Sequence, residues 1–166
     1  MVSGKPEFDR WVMDYVLRKA TPADTIRIEE LFARMLKAVY QTDDIKGYET
    51  GYLDKFFRDN EDLIYVAEYK NDVVAFLSIE VYRDEDYIYL DDLSVSEECR
   101  NKGIGTSLIH AAEKYAEEIG ITKMVLHVEK TNEDAYRLYS RLGYSEDADD
   151  GSRIRMSKAV KNLPYN

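Results

Sequence analysis

A single cysteine, Cys99, leaves the chain with no partner for an internal disulfide. That fits a reducing compartment and a core held by packing alone. No run of about 18 apolar residues occurs, so no membrane-spanning helix is expected. The first residues include Glu7, Asp9 and Arg10 and lack an apolar segment, so no secretory signal is expected and the reading is of a cytoplasmic protein. No repeat, low-complexity tract or Gly/Ser/Pro-rich linker divides the 166 residues. Their number suits one domain at 15–166, preceded by a lead-in segment at 1–14. The two histidines, His110 and His127, are scattered, and no metal site is expected from them. Positive charge is in deficit, for the formal net charge is −10. Such a surface repels nucleic-acid phosphates and anionic membranes, and neither is expected as a partner.

What is present is a regular pattern of core-forming segments, with 45% hydrophobic and 12% aromatic residues. Tyr15 to Arg18 reads as a short strand. Thr21-Pro22-Ala23-Asp24 starts a helix, since Thr21 can cap it and Pro22 suits its first position. Ile28, Leu31, Phe32, Met35 and Val39 follow at helical spacing. A second, weaker helix is expected from Tyr48 to Arg58. Leu63–Tyr69, Val73–Tyr82 and Tyr87–Val95 read as a three-strand meander with a turn at Asn71-Asp72. A helix with Ile104, Leu108, Ala111, Ala112, Tyr115 and Ile119 on one face stops at Gly120. Lys123–Glu129 is a strand. Asn132 caps a further helix carrying Ala135, Leu138, Tyr139 and Leu142, and Gly143 ends it. Tyr144 and Arg153–Val160 suggest two last strands joined by an acidic loop. The order predicts an α/β (α+β) chain: a mixed, mostly antiparallel sheet of about six to seven strands flanked by about four helices.

The chemistry centres on Arg100-Asn101-Lys102-Gly103-Ile104-Gly105, between a strand and a helix. The first amides of a helix lack internal partners, and the helix dipole favours anions there. Two glycines let the backbone approach a bulky phosphate. Arg100 and Lys102 add positive charge in an acidic protein. A dinucleotide fingerprint would need a third glycine near Leu108, and a P-loop would need its lysine after the glycines. Neither is present. A strand-to-helix turn with no ligand is the plainer alternative.

Leu90-Asp91-Asp92-Leu93-Ser94-Val95, followed by Arg100 to Gly105, resembles the cofactor motif of the GNAT superfamily of N-acyltransferases, Arg/Gln-x-x-Gly-x-Gly/Ala after a strand. Asn132, Ala135, Tyr139 and Gly143-Tyr144 are similar to the family's Asn-x-x-Ala-x-x-x-Tyr segment and its Gly-Phe/Tyr. The element order matches from Tyr15 to Val160. The resemblance implies transfer of an acetyl group from acetyl-CoA to a primary amine. It implies amides of Lys102, Gly103, Ile104, Gly105 and Thr106 on the pyrophosphate, and Arg100 and Asn101 beside it. Backbone at Leu93 and Val95, and Asn132, would lie on the pantetheine arm, with Tyr139 the general acid at the sulfur. Many members dimerise, so a homodimer is compatible with this reading. A module that only binds acyl-CoA would need the turn but neither Tyr139 nor a nearby carboxylate.

An alkyl ammonium has a pKa of about 10.4, so a base must free the nucleophilic amine. Asp91 matches a carboxylate position of polyamine-type relatives and is preferred as that base. Asp92 comes next, then Glu80 and Glu129. Alternation along a strand places Asp91 and Asp92 on opposite faces. Glu146, Asp147, Asp149 and Asp150 in the last loop, with Asp43, Asp44 and Glu49, would draw a cationic acceptor such as a polyamine, an aminoglycoside or a basic peptide. Tyr40, Tyr48 and Tyr52 are candidates to line its pocket, and His127 reads as a packing or surface residue.

Overall fold

The computed structural model describes residues 14–161, so the lead-in segment, but for Asp14, lies outside the described residues. Seven strands join one sheet in the order β1-β2-β3-β4-β5-β7-β6: β1 Val16–Lys19, β2 Leu63–Tyr69, β3 Asp72–Tyr82, β4 Tyr87–Val95, β5 Lys123–Glu129, β6 Ser145–Asp150 and β7 Arg153–Ala159. Neighbours are antiparallel except β4 and β5, which are parallel. The helices are α1 Thr25–Tyr40, α2 Ile104–Ile119 and α3 Glu133–Arg141, with short 3-10 turns at Pro22–Asp24, Tyr52–Phe57 and Glu97–Cys99.

Two apolar layers sandwich the sheet. On one face α2 packs Ile104, Leu108, Ile109 and Ala112 against Leu77, Ile79, Ile88 and Leu90, all nearly or fully buried. On the other, Ile28 and Leu31 of α1 with Leu53 and Phe56 of the 3-10 turn cover Ile64, Val66 and Phe76. Val39 and Tyr40, at the end of α1, are exposed.

Four sequence expectations are corrected. The Tyr48–Arg58 helix shrinks to the 3-10 turn Tyr52–Phe57, whose N-terminal neighbour Gly51 has φ +81° and prevents an earlier start. The β2–β3 turn falls on Lys70-Asn71, both at positive φ, as a two-residue hairpin of right-handed strands requires. The acidic segment is a strand, not a loop. Three of its four carboxylates are paired, Asp147 with Arg155 and Lys123, Asp149 with Lys130 and Asp150 with His127. These contacts and the ladder to β7 override the poor strand propensity of the acidic residues. The fourth correction concerns Asp91 and Asp92.

In the β3–β4 ladder Leu77 faces Leu93 and Ile79 faces Leu90. Ser78 alone therefore opposes both Asp91 and Asp92, which makes a bulge in β4. Ser78, 1% exposed, fills it, and its Oγ accepts the Asp92 N–H at 2.9 Å. The extra residue reverses the alternation. Before the bulge Ile88 and Leu90 face α2, and after it Leu93 and Val95 do. Asp91 and Asp92 are thus left together on the α1 side. The alternation rule fails because a bulge adds one residue to its count.

Candidate active site

The parallel β4–β5 ladder runs only from Ile88 to Leu90 against Met124 to Leu126. Beyond it β4 stays paired with β3 as far as Val95, and β5 with β7 as far as Glu129. The two central strands therefore splay. Among the described residues no strand lies on the β5 side of β4 from Asp91 to Val95, and the backbone there can receive an extended ligand as a further strand would.

One wall of this opening is the turn into α2. Gly103 is the N-cap, at φ +81° and ψ 5°, and no side chain caps the helix. A Cβ at Gly103 would meet nothing within 4 Å, so the constraint there is backbone angle, not space. The first bond of the helix runs from the Ser107 N–H to the Gly103 carbonyl at 3.0 Å. The amides of Gly103 to Thr106 precede it and have no partner in the helix. Arg100, Asn101 and Lys102 are exposed beside them, and Arg100 Nε donates to the Val95 carbonyl at 3.3 Å. Gly105 lies over Leu93 and Val95 at ordinary contact distance for an added Cβ. Backbone N–H groups, a helix dipole and two cations converge here, which suits a pyrophosphate. Asn132 caps α3, its Oδ1 accepting from the Ala135 amide at 3.2 Å. Its side-chain NH2 is the part left for a ligand.

The other wall is built of side chains. Tyr48 Oη donates to Asp92 Oδ2 at 2.6 Å, and Tyr52 Oη to Asp91 Oδ2 at 3.0 Å. The two rings stack with centroids 4.8 Å apart, and Phe32 stacks on Tyr48 at 3.7 Å. Lys55 Nζ lies 4.7 Å from the Tyr52 ring centre and donates to Glu80 at 3.1 Å. Loss of solvent, then the facing carboxylates, hold the Tyr48 and Tyr52 phenols well above the ordinary tyrosine range, so they act as donors. Asp92 is pushed up to about 6, chiefly by burial and then by the Asp91 charge, while the Tyr48 bond works the other way. A carboxylate so placed is a stronger base than one in water.

Tyr139, half-buried on α3, packs edge-on against Tyr144 with centroids 6.1 Å apart. Burial, with a smaller push from Tyr89, raises its phenol to about 12. Tyr89 precedes Asp91 by two residues on the same face, and its Oη lies 2.8 Å from His127 Nδ1. The structure thus gathers Asp91, Asp92, Leu93 and Val95 with the α2 turn along the splayed edge. It sets Glu80 against Lys55 and leaves Glu129 at the end of the β5–β7 ladder. Sequence reasoning missed Tyr89 as a site residue and the pairing of Tyr48 and Tyr52 with the aspartates. Alternation from Asp91 flags Tyr89, whereas nothing local flags the partners of Tyr48 and Tyr52. Among the described residues no three His, Cys, Asp or Glu side chains gather into a metal-binding group, and no helix is long and apolar enough to cross a membrane.

Residues 27–144 match the acetyltransferase (GNAT) family, and the chain belongs to that family. It is 32% identical over 136 residues to the uncharacterized N-acetyltransferase YhfO of Bacillus subtilis, covering 79% of this chain and 90% of that one. Over 132 residues it is 32% identical to the uncharacterized N-acetyltransferase MJ1530 of Methanocaldococcus jannaschii, covering 79% and 78%. The fold is shared with the PaiA N-acetyltransferase of Thermoplasma acidophilum, solved in complex with coenzyme A, at TM-score 0.73 and 22% identity over 89% of this chain and 99% of that one. The protein is an N-acetyltransferase by family, with the GNAT fold that the motifs implied.

Proposed function

We propose that the protein moves an acetyl group from acetyl-CoA directly to a primary amine that is cationic in water, of the polyamine, aminoglycoside or basic-peptide kind. The observation that carries this reading is the β4 bulge, which sets Asp91 and Asp92 side by side next to the splayed edge. Two carboxylates there, with Glu80 nearby and Lys55 the opposing charge, give an anionic face that attracts an ammonium. Three of the four β6 carboxylates are engaged with Arg155, Lys123, Lys130 and His127, so they contribute less to that attraction than the sequence suggested.

Acetyl-CoA supplies an activated acetyl group. The amides of Lys102 to Thr106 and the charge of Arg100 hold its pyrophosphate, with Asn101 beside them. The free edge at Leu93 and Val95 and the Asn132 amide hold the pantetheine arm. Asp91 takes a proton from the acceptor ammonium, with Asp92 next to it, and Tyr52 and Tyr48 orient the two carboxylates. Tyr139 gives a proton to the departing sulfur. A phenol raised to about 12 stays protonated at neutral pH, as an acid must.

Thiol release from acetyl-CoA across a panel of amines tests the reading, with Tyr139→Phe beside the native protein. Turnover with one cationic class, and a fall in kcat of about a hundredfold in the variant while acetyl-CoA still binds, is the expected result. Native protein that binds acetyl-CoA and acetylates nothing in the panel would make it a non-catalytic acyl-CoA-binding module instead.

A further inference from the structure

Amine acetylation leaves one proton over. The acceptor enters as R–NH3+ and leaves as a neutral amide, so its nitrogen gives up two protons. Sulfur takes one as the carbon–nitrogen bond forms and the carbon–sulfur bond breaks. The other must reach solvent on every turnover. The Asp91 carboxyl is held by Tyr52 and that of Asp92 by Tyr48, so a proton left on either carboxyl needs a way out.

From the sequence of contacts Tyr89–His127–Asp150 we infer that this chain carries the surplus proton from the acceptor face to solvent. Tyr89 Oη lies 2.8 Å from His127 Nδ1, and His127 Nε2 lies 2.6 Å from Asp150 Oδ2. The three come from different strands, β4, β5 and β6, and form one line from the splayed edge to the rim. The His127 side chain is 16% exposed and that of Asp150 45%, so the line starts inside and ends in water. Asp150 accepts from Nε2–H and so leaves Nδ1 free to accept from the Tyr89 hydroxyl. A proton released by the Asp91 carboxyl to a water between it and Tyr89, and delivered to the Tyr89 oxygen, displaces the phenol's own proton to Nδ1, and the Nε2 proton passes to Asp150 and water. One proton enters, one leaves, and exchange with solvent restores the Nε2–H tautomer that Asp150 selects. The charged groups acting on Tyr89 are Asp91, Arg153, Glu80 and Asp92, and those beside the imidazole are Arg155, its register partner, and Asp150. Asp147 neutralises Arg155.

This rests on the amine-acetylation reading, and the test separates the two. Tyr89→Phe, His127→Asn and Asp150→Asn are compared with the native protein in thiol release with its best amine, from pH 7 to 9.5. Asn at 127 keeps an acceptor for the Tyr89 hydroxyl but cannot pass a proton on. The expected result is a fall in kcat of about tenfold at pH 7 with KM for acetyl-CoA unchanged. That deficit narrows toward pH 9.5, where about a tenth of an amine of pKa about 10.4 enters already neutral and leaves no surplus proton to carry. Asp150→Glu, which restores the carboxylate, keeps most of the native rate. A variant deficit constant with pH, or native rates in His127→Asn, overturns the relay alone. Native protein that releases no thiol with any amine overturns the acetylation reading and the relay with it. Melting temperatures and acetyl-CoA binding of each variant show that a lost rate is not lost folding.

Discussion

The two walls of the opening between β4 and β5 are made differently. The proposed cofactor wall is a stretch of seven consecutive residues, Arg100 to Thr106, and offers mainly backbone amides and exposed cations. The proposed acceptor wall takes Tyr48 and Tyr52 from the region after α1, Glu80 from β3, and Asp91 and Asp92 from β4, and offers side chains half-buried or more against one another. A wall of amides needs only a glycine at positive φ and a helix behind it. A wall of buried carboxylates needs partners that lie 39 and 44 residues away. The first wall should therefore tolerate side-chain changes with small losses in binding, whereas the second should respond with large changes in rate or stability.

Asp91→Asn is the sharpest way to break this contrast. The amide keeps an oxygen for the Tyr52 hydroxyl but cannot take a proton. kcat should fall about a hundredfold while acetyl-CoA binding holds. Steady-state kinetics with acetyl-CoA and amine varied separately makes the check. If the loss appears as weaker acetyl-CoA binding, Asp91 belongs to the cofactor wall and the division fails.

Asp92→Asn tests stability on the same wall. The folded carboxyl titrates near 6, above its ordinary 3.8, so the native state holds this proton more tightly than the unfolded chain does. Its contribution to stability is complete below about pH 3.8 and is lost as pH rises through 6. At pH 7.5 the charged, crowded carboxylate therefore destabilises the fold, by about 2 kcal/mol after allowance for its partial exposure. Asn removes that charge and keeps an acceptor for Tyr48. Thermal unfolding should show the variant more stable than native at pH 7.5 and equal to it at pH 4. A variant less stable at both values would mean that the charge-assisted Tyr48 bond outweighs burial and repulsion.

The same contrast explains what could be read in advance. Gly103 and Gly105 with Arg100 form a contiguous signal, and α2 begins where that signal puts it. Asn132 caps α3 as its residue type and place suggest. The facing of Asp91 and Asp92 was misjudged because their bulge depends on Ser78, on another strand, whose register no local pattern reveals. Ser145 to Asp150 looks like a loop because its residues disfavour strands. Lys123 and Lys130, from the β5 region, and Arg155, across the hairpin on β7, neutralise it in place. What is local in the chain was legible, and what is made by pairing was not.

Arg100→Ala should give the smallest effect and so measures how much of the cofactor wall is side chain at all. Arg100 is exposed, and its Nε bond to the Val95 carbonyl is long at 3.3 Å. An exposed cation beside a bound phosphate is worth under about 1 kcal/mol, because water and salt screen it. KM for acetyl-CoA should rise about threefold to fivefold with kcat unchanged. The difference between native and variant should shrink as ionic strength is raised from 0.02 to about 0.5 M, where the screening length falls below about 5 Å. Loss of the amide cradle would not be mimicked by salt in this way, since those N–H groups donate directly at contact. If Arg100→Ala instead abolishes binding at every salt concentration, the guanidinium carries the site. The turn would then be a side-chain wall like its neighbour across the opening.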